Sequence, residues 1–175
     1  SDPEPEVRLG AARLLSHHLL RDEIDTRRLL VFTKDADAGV RGELLSHLQP
    51  NSSDRSLLSE AEFKLVRALA FDPDPTIRYS AISIAMLKGE PLRFTREELL
   101  AIAEDSSRDV RSQLPWFPVE DTALAVELYR RLAADTDERV LNSVDNRVDR
   151  TLREDETKVS AYLPYFEARL ANPAQ

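Results

Sequence analysis

Five segments of this 175-residue chain repeat one turn, in each an aspartate standing five positions before a valine or isoleucine, and in four of the five an arginine follows directly. The copies are Asp2 to Val7-Arg8, Asp35 to Val40-Arg41, Asp72 to Ile77-Arg78, Asp105 to Val110-Arg111 and Asp135 to Val140-Leu141. Their β-branched anchors lie 33, 37, 33 and 30 residues apart, a period that houses two helices and two turns. A unit of that size cannot bury its own apolar stripe and must stack on its neighbours.

Each copy marks a helix start. Three positions before the anchors stand Glu4, Asp37, Asp74, Ser107 and Asp137, four of them good N-cap residues. Pro5 and Pro75 follow at the first helical position, where the donor that proline lacks is needed least. Apolar residues then return at helical spacing: Val7, Ala11, Leu14 and Leu15 in the first copy, Ile77, Ala81, Ile84 and Ala85 in the third, Val140, Val144 and Val148 in the fifth. These are the second helices of the pairs. First helices of similar character are expected at 23–34, 58–71, 95–104 and 120–134, with another at 156–171. The 95–104 helix opens on Thr95 and Glu98 at capping-box spacing. Pro115 and Pro118 should break the second helix of the fourth pair.

The turn and its Val-Arg sequel resemble the HEAT-repeat family across nearly the whole chain. The resemblance implies an all-α fold, a right-handed α-solenoid of about five antiparallel helix pairs, with 1–175 forming one repeat domain. Its turns are 2–8, 35–41, 72–78, 105–111 and 135–141, the first repeat is truncated, and 142–175 is a C-terminal capping region. It also implies second helices lining a concave face, and a ladder joining turn aspartates to helix arginines of neighbouring repeats: Asp35, Asp72, Asp105 and Asp135 with Arg8, Arg41, Arg78 and Arg111. Leu141 stops that ladder. In physical terms such pairs fix a stacking angle more than they add net stability.

Composition closes several routes to chemistry. No cysteine is present, so disulfides, thiolate nucleophiles and cysteine-ligated zinc are excluded. The four glycines, Gly10, Gly39, Gly42 and Gly89, cannot form a Walker loop or a dinucleotide fingerprint. The apolar run Leu29-Leu30-Val31-Phe32 is too short to cross a bilayer, and a cytoplasmic protein is the simplest expectation. His17, His18 and His47 lack the His-Glu pairing of metal-dependent HEAT hydroxylases, so no metal or cofactor is expected. The acid pairs Asp35 with Asp37, Asp72 with Asp74 and Asp135 with Asp137 are explained by the turn and the cap rather than by acid–base catalysis.

A binding surface is the remaining expectation. Six positions after each anchor lie Arg13, Ser46, Ser83, Trp116 and Asn146; two positions after lie Leu9, Gly42, Tyr79, Ser112 and Asn142. If the second helices line the concavity, Arg13, Tyr79, Ser83, Trp116 and Asn146 are its contact candidates. The only tryptophan, Trp116, is a candidate anchor for a partner, and Phe117 a candidate for the core. The expected function is a non-enzymatic scaffold for a protein or peptide, as part of a longer chain. The alternative is a nucleic-acid-acting protein like the HEAT-like DNA glycosylases of alkylated bases, with Trp116, Glu120 and Asp121 at a cleft and Arg13, Arg147 and Arg150 on phosphates. Charge weighs against it: the net charge is −8, and residues 101–150 hold 7 basic and 11 acidic groups.

Overall fold

The computed structural model describes residues 2–19, 29–46, 48, 57–88 and 93–172. Among them the chain is all helix and turn, without a strand. It divides into two compact units, Ser1–Glu90 and Pro91–Gln175.

In the first unit, α1 (Pro5–Leu19), α2 (Ala38–Ser46) and α4 (Pro75–Leu87) carry the anchors, and α3 (Glu60–Leu69) precedes α4. Second helices pack in sequence, α1 on α2 and α2 on α4, while α3 covers α4 and touches α2. Local signals set the boundaries. Asp74 accepts from the Thr76 N–H at 2.8 Å and Pro75 opens α4. Ser59 begins α3 with a reciprocal capping box to Glu62. The helix expected at 23–34 lies partly outside the described residues; its residues 29–32 are helical and Leu29 is fully buried.

In the second unit, α5 (Arg96–Ala103) and α7 (Thr122–Leu132) are first helices, and α6 (Arg108–Arg111) and α8 (Glu138–Glu154) carry the anchors. First helices again pack in sequence, α5 on α7 and α7 on α9 (Leu163–Leu170), while α6 lies against α8. The expected capping box opens α5, with Glu98 N–H on Thr95 Oγ1 and Thr95 N–H on Glu98 Oε2. The proline break also occurs: α6 has four residues and gives way to a 3-10 turn at Leu114–Trp116.

The 156–171 segment departs from a single helix. Glu156–Tyr162 is 3-10, started by Asp155 accepting from the Thr157 N–H, and the α-helix begins only at Leu163. Pro164 supplies no N–H to close an α-turn onto the preceding residues, so the regular helix restarts there.

The anchors fill the core. Val40, Ile77, Val110 and Val140 are at most 6% exposed, whereas Val7 is 54% exposed. Each buried anchor contributes roughly 1.5–3 kcal/mol of transfer free energy. Phe117 is fully buried against Phe94, ring centroids 6.3 Å apart, directly after the 3-10 turn that follows the shortened α6. No described helix is long and apolar enough to cross a membrane.

Candidate functional site

The turn aspartate has the same local task in all five copies. One carboxylate oxygen accepts the N–H two residues on: Asp2 from Glu4, Asp35 from Asp37, Asp72 from Asp74, Asp105 from Ser107 and Asp135 from Asp137, at 2.7–2.9 Å. This Asx turn satisfies a donor just before the helix and fixes the carboxylate direction.

The arginines after the anchors then repeat one geometry. Nη1 of each donates to backbone carbonyls six and five residues back: Arg8 to Asp2 and Pro3, Arg41 to Asp35 and Ala36, Arg78 to Asp72 and Pro73, Arg111 to Asp105 and Ser106. The rest of the guanidinium faces forward. Arg8 Nε and Nη2 hold Asp35 at 2.7 and 3.0 Å, Arg41 holds Asp72 at 2.7 and 2.9 Å, and Arg111 holds Asp135 at 2.5 and 3.0 Å. Each rung therefore ties two turns through one planar cation, a fork that lysine cannot reproduce. Arg78 belongs to the first unit and Asp105 to the second, and each has the same contacts within its own unit as its counterparts.

Burial grades the rungs. The Arg41 and Asp72 side chains are 8% and 1% exposed, the most enclosed of the three. At Asp35 the bond from Arg8 outweighs partial desolvation, and the Asp37 N–H adds to it, so the carboxyl titrates below its ordinary range.

Surface candidates fall into two groups, one in each unit. In the first, Arg13 is exposed but engaged by Glu43 of α2 at 3.0 and 3.1 Å, and Ser46 also donates to Glu43. Tyr79 is 40% exposed. Ser83 is half-buried, with its hydroxyl oxygen enclosed and lacking a hydrogen-bond partner among the described residues. A charge at Ser83 would disturb packing, so this position reports on the fold rather than on binding.

In the second unit, Trp116 is 41% exposed, yet its indole N–H is fixed: Nε1 donates to Ser143 Oγ at 2.8 Å, and that hydroxyl donates to the Ser112 carbonyl at 2.8 Å. Asn142 and Asn146 are exposed on α8 on either side of Ser143 in sequence. Asp121 is occupied as the α7 N-cap, accepting from Ala123 and Leu124, while Glu120 is exposed. Arg150 pairs with Glu154 on its own helix, and Arg147 is half-buried on α8.

One register relates the two groups. Arg13 and Trp116 each lie six positions after an anchor, and their partners Glu43 and Ser143 each lie three after the next one. The sequence rows placed Arg13 and Trp116 in equivalent positions; the missing signal was the polar residue at the third position of the following copy. The arginine bonds to turn carbonyls were likewise legible only as a spacing, because backbone acceptors leave no mark in side-chain composition.

Among the described residues, no group of three or more His, Cys, Asp or Glu is placed to hold a metal ion. The side chains of His17, His18 and His47 lie outside the described residues. Compared with known protein families, curated proteins and solved structures, the chain matches none, so its reading rests on the geometry of its own repeats.

Proposed function

We propose that this chain is a HEAT-like right-handed α-solenoid of about five helix pairs that acts as a non-enzymatic interaction module, binding a protein or peptide on the surface of its second helices. Trp116 carries this reading. A large aromatic that is two-fifths exposed but held by a hydrogen bond through a serine to the backbone is a rigid anchor, and little side-chain entropy remains to be lost when a partner covers it. Asn142 and Asn146, exposed on the helix that carries Ser143, offer amide donors and acceptors suited to a polar rim.

The test is affinity capture by the native chain and by Trp116→Ala and Asn146→Ala variants, with bound proteins identified by mass spectrometry and each candidate titrated directly. A partner retained by the native chain should weaken on the order of tenfold or more with Trp116→Ala, the loss typical of a central aromatic. Undiminished affinity for both variants would contradict the assignment of this surface. Salt-sensitive binding to duplex DNA, lost with Arg13→Ala, would instead favour the nucleic-acid alternative.

A further inference from the structure

The fifth copy has Leu141 where the other four have arginine, which should leave the carbonyls of its turn without their guanidinium donor. The Asp135 carbonyl is not left so. The Asn172 side-chain amide donates to the Asp135 carbonyl at 2.8 Å and to the Ala133 carbonyl at 2.7 Å. The Asp135 carbonyl is the equivalent of those that Arg8, Arg41, Arg78 and Arg111 reach at Asp2, Asp35, Asp72 and Asp105.

Asn172 also stands where the next turn aspartate belongs. It follows α9 in the sequence Leu170-Ala171-Asn172-Pro173, a counterpart of Leu69-Ala70-Phe71-Asp72-Pro73 after α3 with one residue fewer. α9 packs on α7 as one first helix packs on the previous one. Both substituted side chains are enclosed: Leu141 is 2% exposed and Asn172 7%. Leucine retains the apolar stem of the arginine and drops its charge, while asparagine replaces the carboxylate and supplies the donor itself.

We propose that Leu141 and Asn172 form a neutral rung that seats α9 as the first helix of a sixth pair. In the charged rungs a cation bridges two turns; here the later turn residue bonds the earlier turn directly. The two exchanges are coupled. An arginine at 141 would compete with Asn172 for the Asp135 carbonyl, and an aspartate at 172 would set a carboxylate against it. A neutral rung also rejects a charged partner from either side, so α9 is specified for this position and not for an equivalent slot at the arginine rungs. The inference rests on these contacts alone and stands whether or not the chain binds a partner.

The experiment is native-state hydrogen exchange of the α9 amides in the full chain, comparing native, L141R, N172D and the double variant. Each single change should speed exchange over Leu163–Leu170 by about tenfold, the scale of one buried polar group losing its partner. The double variant restores an arginine–aspartate rung and should return to within about threefold of native, showing non-additivity of groups in contact. Unchanged exchange in N172D would overturn the proposal. So would a double variant whose acceleration is the product of the single effects, or one that fails to fold while the native chain folds.

Discussion

Asp35 shows what one turn residue has to do at once. It accepts the Asp37 N–H to shape its own turn and accepts two bonds from Arg8 to join the preceding one. Its folded-state affinity for a proton falls because the carboxylate is the bonded form. Between the folded value and the ordinary aspartate value near 4, the unfolded chain binds more protons, so stability rises with pH there. The contribution is complete above the ordinary range and is lost as pH falls through the folded value. Denaturant titrations between about pH 3 and 6 should therefore show a shallower acid loss for Asp35→Asn than for the native chain. An identical acid limb would mean that Asp35 is not held by Arg8 in solution. At Trp116 the residue-scale prediction is optical. Ser143→Ala removes the indole acceptor, and with one tryptophan in the chain, emission should shift in wavelength while stability changes by about 1 kcal/mol. Unaltered emission would remove the case for a fixed ring.

Helix boundaries are where the sequence was most readable. Thr95 with Glu98, and Asp74 with Pro75, declare starts through chemistry within a few residues, and the folded chain uses them as such. Thr95→Ala should cost about 1 kcal/mol in chemical denaturation, with Thr95→Ser close to native, because the cap needs only a short side-chain oxygen. Equal losses for both variants would point to the methyl group of Thr95 rather than its cap. Pro115 and Pro118 were readable for the same reason, since proline acts on its own backbone. What stayed hidden depends on residues far apart. The Trp116–Ser143 bond spans 27 positions and the Asn172 bonds 37 and 39, and no local pattern announces them. Tyr165 and Arg169 of α9 meeting Asp145 of α8 is a further case: a surface-looking acid in the sequence receives bonds from two residues of α9. Burial and the Asp145 acceptor together push the Tyr165 hydroxyl to a higher pKa. The candidate binding surface was legible to a similar degree: counting from the anchors placed Trp116 in the same row as Arg13, while the half-burial of Ser83 depended on packing that counting does not see.

Across the molecule, repetition converts these small contacts into architecture. Within each unit the contacts recur: second helices pack in sequence in the first, first helices pack in sequence in the second, and an arginine–aspartate rung joins successive turns in both. Twelve of the 32 acidic residues sit in the five turns and helix starts, which makes the charge of −8 largely a property of how the pairs are joined. Exposed pairs such as Arg108 with Asp137 and Arg139 with Asp109 add little to that joint. The enclosed Arg41–Asp72 rung is different, because removing either member leaves a buried charge unpaired. A double-mutant cycle on this rung by urea unfolding, using Arg41→Ala, Asp72→Ala and the pair together, tests most directly that rungs couple successive helix pairs. Arg41→Ala should cost about 3–5 kcal/mol, and the double variant should be more stable than the sum of the two losses by at least about 1 kcal/mol. Strict additivity, with no coupling between positions 41 and 72, would contradict it.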